Sequence, residues 1–400
     1  MTTYDAIVAG AGPAGSTAAR LLAAQGARVL LLDKARFPRD KPCGGGVTLA
    51  AANEGDIDLS PVIERTVHNV HVSLRHGKPF VRSSELPLAY MTQRCRLDAY
   101  LAQQAVAAGA EFRDGLGIRE LEIKDNSVLV RANGAAYRAR ALIGADGANG
   151  IVAKAAGFTT SGDAAVALEA NVPAEGELVE RWRDAIALDF GGTPGGYAWL
   201  FPRGDHLNVG VGGWRWIGPT LRARLSALCR FLELDESKLF GLRGYHLPLR
   251  APGAPVVRGP VLLVGDAAGL VDPLSGEGIH AAFWSGRLAA ESIASTLSGE
   301  TSDFGSYERA VREQIERELV MSRKLQTLFQ RFPRPCVALM RRSDRFWGAL
   351  VGFVRGTNDY TQFRRRLGPL AWAIDGAAAV AGAPKDALPS PRRGGAGGGV

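Results

Sequence analysis

The sequence predicts an α/β fold in which a Rossmann-like dinucleotide-binding domain is split by an inserted antiparallel sheet and followed by a helical region. Three separated segments predict it: Gly10-Ala11-Gly12-Pro13-Ala14-Gly15, then Gly144-Ala145-Asp146-Gly147, then Gly265-Asp266-Ala267-Ala268 with Pro273, Gly276 and Gly278 beyond. A G-x-G-x-x-G alone is weak, but this one follows the apolar run 4–9 and opens a helix. Gly10 then allows the tight strand-to-helix turn, Gly12 lets the backbone approach a pyrophosphate, and Gly15 lets helix and strand pack closely. Asp33 ends the second apolar run, 27–32, about where an acceptor for a ribose hydroxyl is expected.

Taken in order, the first strand–helix–strand unit covers residues 4–33, with its helix at 16–25 ended by Gly26 in a position suited to a left-handed cap. The loop 34–47 follows, with the unusual run Phe37-Pro38-Arg39-Asp40-Lys41-Pro42-Cys43-Gly44-Gly45-Gly46. Short alternating stretches between 60 and 92, such as Val70-His71-Val72-Ser73-Leu74-Arg75, predict antiparallel strands. A helix at 96–108, a strand near Glu111 and a buried strand at 141–145 lead to Asp146-Gly147. Strand patterns return over 165–215, the run Val261-Leu262-Leu263-Val264 feeds Gly265-Asp266, and a helix follows at 278–297. Beyond Asp303 the pattern is helical to about Ala379, and 384–400, rich in Pro, Arg and Gly, reads as a disordered tail. The expected division is 1–52, 91–160 and 255–300 for the cofactor domain, 53–90 and 161–254 for the inserted sheet, and 301–380 for the helical region.

With 400 residues, 46% of them hydrophobic, the chain can bury a sizeable core, as a globular enzyme does. A net charge of +8 suits an anionic partner: a dinucleotide, a nucleic acid or an acidic membrane surface. The basic residues form no recognisable nucleic-acid module, so a nucleic-acid partner is not expected. Cys43, Cys95, Cys229 and Cys336 have neither C-x-x-C spacing nor a nearby histidine cluster, which argues against a metal site or a disulfide framework and for a reducing cytoplasm. No secretory signal pattern and no apolar run near the ~20 residues of a span are seen, so a soluble or peripheral protein is expected.

Asp266 ends a buried strand at a glycine-rich helix entry, where open α/β sheets bind ligands. There it can bond a sugar-alcohol hydroxyl, while Gly276, Gly278 and the backbone of Ile279 can approach a flavin ring, which fits FAD better than NAD. Arg94 is placed to meet cofactor phosphates or the flavin edge. The cofactor-contacting candidates are therefore Gly10, Gly12, Ala14, Gly15, Asp33, Arg94, Ile118, Asp266, Gly278 and Ile279. Asp146 and its neighbours either serve the cofactor or end a strand. A second G-x-G-x-x-G is missing, so the expected electron donor is NADPH docking transiently or a small redox protein.

The order of these pieces resembles the superfamily of flavoproteins that shares the FAD-binding fold of the aromatic hydroxylases. Pro194-Gly195-Gly196-Tyr197-Ala198-Trp199-Leu200-Phe201-Pro202 is similar to the P-x-x-Y-x-W-x-F-P signature of the geranylgeranyl reductase family at every fixed position. Lys41-Pro42-Cys43-Gly44-Gly45-Gly46-Val47 is likewise similar to that family's K-P-C-G-x-G-[VL] loop. The resemblance covers about 4–355. It implies FAD-dependent saturation of isolated carbon–carbon double bonds in a polyprenyl chain carried on a lipid, quinone or diphosphate. It also places Cys43 beside the flavin, adding Cys43, Gly44 and Gly46 to the cofactor contacts.

On an extended strand Tyr197, Trp199 and Phe201 share one face, forming an aromatic wall for substrate, although such a stripe is also what ordinary core looks like. Tyr197 and Cys43 are the catalytic candidates, as proton donors or as steric guides. The apolar run 346–354, flanked by Arg341, Arg342, Arg345 and Arg355 and followed by Arg364-Arg365-Arg366, suits either a helix lying on an anionic membrane or a core helix. A flavin monooxygenase or halogenase acting on an aromatic compound, and a non-catalytic flavoprotein that carries electrons or binds lipid, are the competing readings. Trp214-Arg215-Trp216-Ile217-Gly218-Pro219 departs from the halogenase W-x-W-x-I-P by one extra glycine.

Overall fold

A strand buried on both faces must be apolar at every position, and Thr3–Ala9 follows that rule through Ala6, Ile7 and Val8, none of which reaches solvent. It lies near the centre of the first sheet in the computed structural model, which describes residues 2–124, 127–159 and 164–359 together with Gln362, Phe363, Arg365 and Gly368. The sheet order is Val257–Arg258, Val261–Leu263, Ala135–Gly144, Thr3–Ala9, Val29–Leu32, Glu111–Arg113, and the central pairings are parallel. Strands Ile118–Lys124 and Ser127–Ala132 extend it antiparallel from the outer half of Ala135–Gly144.

The first helix, Pro13–Ala24, begins three residues before the expected start, because proline lacks the N–H that a helix N-terminus leaves unpaired and so takes the first position without loss. It packs on Ile279–Leu297 so closely that a Cβ on Gly286 would lie 2.5 Å from the Ala14 carbonyl oxygen. The third helix in the chain, Arg94–Ala107, also starts earlier than the pattern suggested, which puts Arg94 inside its first turn.

The second sheet has seven strands in the order Phe240–Pro248, Ala164–Pro173, His206–Trp214, Tyr197–Pro202, Ala185–Phe190, Asn69–Leu74, Phe80–Ser83. Strand Asn69–Leu74 pairs antiparallel with Phe80–Ser83, as its alternation suggested, but parallel with Ala185–Phe190. The chain passes through the first sheet between these two strands, and so long a crossover permits parallel pairing. Leu221, Leu225 and Leu228, at helical spacing, press helix Leu221–Phe231 onto this sheet. A small sheet of Gly46–Thr48, Ala89–Met91 and Arg65–Val67 joins the two large ones.

Helices Arg317–Arg331, Pro333–Arg342 and Asp344–Val354 cover the remaining side. The Gln330 side chain accepts from Gly195 N at 2.8 Å and the Gln326 amide donates to Gly195 O at 2.8 Å, clamping the first of these helices to the turn before Tyr197. Ser343 caps the last helix by accepting from Phe346 N. Of the two readings of 346–354, the core one fits: Phe346 and Ala349 are buried with Val70 and Val72 of the second sheet. Among the described residues no helix is long and apolar enough to cross a membrane and no residue group could hold a metal ion, while the four cysteines are free. The expected tail 384–400 lies outside the described residues, as do Arg364 and Arg366.

Arg250, at the end of the inserted sheet, bonds Glu316 at 3.1 Å just before the helix Arg317–Arg331, and Glu316 also accepts from Gly253 N at 2.7 Å. Both side chains are almost wholly buried, so removing one strands the other as an unpaired charge. Arg250→Ala is expected to lower unfolding free energy by about 3–5 kcal/mol in urea titrations, with part of the loss recovered by also replacing Glu316 with Gln.

Candidate cofactor and substrate site

Gly10, at φ +109°, turns the chain out of the first strand, and a Cβ there would lie 2.3 Å from the Ala145 carbonyl oxygen. A Cβ on Gly15 would lie 1.9 Å from Gly10 O, so this glycine holds the turn against its helix and is not on the cavity surface. Gly12 faces the cavity, with the guanidinium groups of Arg39 and Arg94 at 3.6 and 3.7 Å from where its Cβ would be. Asp98, fully buried, holds both cations: Arg94 makes a two-pronged bond at 2.8 and 2.7 Å, and Arg39 lies at 2.7 Å. The buried Arg94 and the partly buried Arg39 share Asp98, with Asp33 3.7 Å from Arg39, and together bring guanidinium N–H groups to a glycine turn at a helix N-terminus, which suits a pyrophosphate. Asp33 accepts from Ala11 N and Ala35 N, each at 2.9 Å, and its carboxylate borders the same cavity.

Asp266 lies beyond the end of another strand of the same sheet, Val261–Leu263. Burial opposes its ionisation, but Lys41 at 2.8 Å and the Tyr245 hydroxyl at 3.0 Å hold its carboxyl below the usual range. Asp266 Oδ1 would meet a Cβ on Gly278 at 3.0 Å. Gly278 and Ile279 open the helix Ile279–Leu297 toward the cavity, and Ile118 and Asp146 also border it. Asp146 also accepts from Ile151 N and Val152 N, so this segment both borders the cavity and starts a short helix. A cavity of about 730 Å³ collects these groups. The residues fit FAD: a cradle that a Cβ would fill, paired arginines at the turn, and carboxylates, Asp33 and Asp266, beyond the ends of two strands of one sheet.

The loop with Cys43 is strapped on several sides. Cys43 N donates to Glu169 at 2.9 Å, Arg203 donates to Cys43 O, and Arg243 bonds Asp40 at 2.6 Å. Burial pushes the Glu169 carboxyl up, with Arg203 pulling against it. A Cβ on Gly44 would come 2.7 Å from the Phe201 ring, so only glycine lets the loop lie flat on the aromatic strand. Gly46 begins the strand that leaves the loop.

Tyr197, Trp199 and Phe201 all face the cavity, with ring centroids 6.1 and 6.2 Å apart in sequence along the strand. Trp199 is spread over Gly210, where a Cβ would lie 2.1 Å from its ring, and its Nε1 donates to the buried Asn208 at 2.9 Å. This explains the glycine spacing of His206–Trp214. Tyr197 donates its hydroxyl proton to the Ser275 carbonyl, and burial pushes its pKa upward. Beyond the wall the cavity continues between Leu188 and Phe190 of the sheet and Phe329, Met340, Trp347 and Val351 of the C-terminal helices. The run 346–354 thus supplies part of an apolar chamber.

The structure brings every expected cofactor and substrate residue except Gly15 to one cavity. Sequence reasoning missed Arg39, Lys41 as a partner of Asp266, Asp98, Glu169, Arg203 and Glu277. Asp98 was legible as the i+4 partner of Arg94 on a helix. The pairings of Arg203 and Glu169 with Cys43 span more than a hundred residues and left no local signal.

A family model described as an FAD binding domain matches residues 3–190. A digeranylgeranylglycerophospholipid reductase of Methanothermobacter thermautotrophicus is 33% identical over 344 residues, 80% of this chain and 85% of the relative. A geranylgeranyl diphosphate reductase of Rhodobacter capsulatus is 32% identical over 311 residues, 75% and 78% of the two chains. The crystal structure of a geranylgeranyl bacteriochlorophyll reductase-like protein from Thermoplasma acidophilum superposes with a TM-score of 0.77 at 25% identity, covering 92% of this chain and all of that one. A flavin-dependent brominase superposes with a TM-score of 0.73 at 20% identity over 93% of this chain, a likeness of fold alone.

Gly10→Ala forces an L side chain into positive φ and against the Ala145 carbonyl, so it should cut the FAD retained on purification about tenfold or more, read from flavin absorbance per polypeptide.

Proposed function

Because the chain belongs to the geranylgeranyl reductase family of FAD-dependent oxidoreductases, we propose that it saturates carbon–carbon double bonds of a polyprenyl chain carried on a lipid, quinone or diphosphate. The observation that carries this reading is the continuity of the cavity, from the glycine and arginine cradle past the aromatic wall into a chamber lined by the C-terminal helices. A chamber of that depth and apolarity suits a long hydrocarbon, whereas a compact aromatic compound needs only the wall.

FAD, when bound in its reduced form, supplies the hydride equivalent. The chain's own residues orient the alkene and exclude water. Tyr197, Trp199 and Phe201 offer their faces to a prenyl unit, and such faces also favour transient positive charge on carbon. Tyr197 is held by the Ser275 carbonyl, so it keeps one orientation against the substrate. Cys43 closes the site from the strapped loop, where its position is set by Glu169 and Arg203. Electrons reach the flavin from NADPH docking transiently or from a small redox protein. A substrate embedded in lipid also requires the protein to work at a membrane surface as a peripheral visitor from the cytoplasm.

Dithionite-reduced protein is expected to add two hydrogens per bond to one or more of geranylgeranyl lipids, polyprenyl quinones and prenyl diphosphates, read by mass spectrometry. If none gained hydrogen while aromatic compounds gained oxygen during NAD(P)H consumption, the chain would instead be a monooxygenase. The double variant Tyr197→Phe, Cys43→Ala should keep its flavin and slow alkene reduction by about tenfold or more.

A further inference from the structure

One carboxyl on the cavity wall belongs to neither the cofactor cradle nor the aromatic wall. Glu277 lies between Gly276 and Gly278, in the turn before the helix Ile279–Leu297, and borders the cavity together with Cys43, Thr48 and Tyr197. The Thr48 hydroxyl donates to its Oε1 at 2.9 Å, and Glu277 makes no ion pair among the described residues. A carboxylate at the edge of an apolar chamber, without a cation, is costly to keep charged.

The groups packed around it agree. Burial pushes the Glu277 carboxyl up to about 7 and the nearby charge of Asp272 adds to this, while the Thr48 hydroxyl and the backbone N–H groups of Thr48 and His280 pull the other way. From the aromatic strand, Tyr197 is pushed upward by burial and then by Glu277 and Asp272, and its proton is already committed to the Ser275 carbonyl. From the helix, burial holds His280 below its ordinary range, so it stays neutral beside Trp284. From the loop, Cys43 faces the same space. Glu277 thus borders the cavity with its carboxyl bonded to neutral donors and no cation paired with it, so it can hold a proton near neutral pH, as a general acid requires.

We propose that Glu277 is the proton donor of alkene reduction, its carboxyl delivering the O–H proton to one carbon of the double bond at the foot of the aromatic wall. The Glu277 O–H bond breaks as a C–H bond forms, and the hydride equivalent that completes the other carbon comes from reduced FAD. The resulting carboxylate is held by the Thr48 hydroxyl until it takes a proton from solvent. This inference rests on the polyprenyl-reductase reading above.

The test uses the FAD-loaded protein, with the same panel of geranylgeranyl lipids, polyprenyl quinones and prenyl diphosphates as probes. Infrared titration of the oxidised protein should show a protonated-carboxyl band that disappears as pH rises through about 7, and Glu277→Gln should abolish it while retaining FAD. In single turnovers of the dithionite-reduced protein, E277Q should be slower by about a hundredfold, with flavin reduction by dithionite unchanged and Glu277→Asp recovering part of the rate. The wild-type rate should fall as pH rises through the same range, because the carboxyl loses its proton. Equal rates for wild type and E277Q, or a titrating band that persists in E277Q, would overturn the inference and leave the reductase reading standing. Failure of the wild type to add hydrogen to any probe would overturn that reading and this inference with it.

Discussion

Close approach of backbones, at distances that leave no room for a Cβ, is the constraint on which the cavity depends. Gly10 and Gly15 let the first turn fold against Ala145 and its own helix, and Gly286 lets the two long helices meet behind it. The same device recurs in the second sheet. Gly196 packs on the Gly212 carbonyl, Gly210 lies under the Trp199 ring, and Gly44 lies against Phe201. Each side chain omitted makes room for cofactor, ring or loop. The omissions cost backbone entropy, which the large apolar core of both sheets must offset.

The loop carrying Cys43 joins what would otherwise be two independent sites. Through Lys41 it touches Asp266 in the cofactor sheet, and through Cys43 and Gly44 it touches Glu169 and Phe201 in the other. The cofactor cradle and the aromatic wall are therefore referenced to one short segment, so their relative position is set by local geometry. Charge is arranged to match, with arginines gathered by Asp98 at the glycine turn and an apolar chamber lined by the C-terminal helices.

Much of this was legible because it depends on local rules. The three glycine segments, the strands that feed them and the alternation of Tyr197, Trp199 and Phe201 each follow from short-range spacing, and they met at one cavity. Helix starts at Pro13 and Arg94 were misplaced by two or three residues, since periodicity weighs apolar positions and neither terminus is marked by one. The parallel pairing of Asn69–Leu74 and the straps on Cys43 depend on which distant segments the fold brings together, and nothing in the neighbouring residues encodes that. The 346–354 run was ambiguous because an apolar stripe looks the same whether it meets lipid, core or a cavity.

The two supports of the chamber differ in kind. Gln326 and Gln330 hold the helical cover to the aromatic wall through neutral amides, while the Cys43 loop is held by lysine, arginine and carboxylate groups. Amide contacts are indifferent to salt and acidity, whereas the exposed Arg243–Asp40 strap is screened by ions. Rising ionic strength therefore acts on the two sides unequally, loosening the Cys43 loop while the helical cover keeps its hold on the aromatic wall.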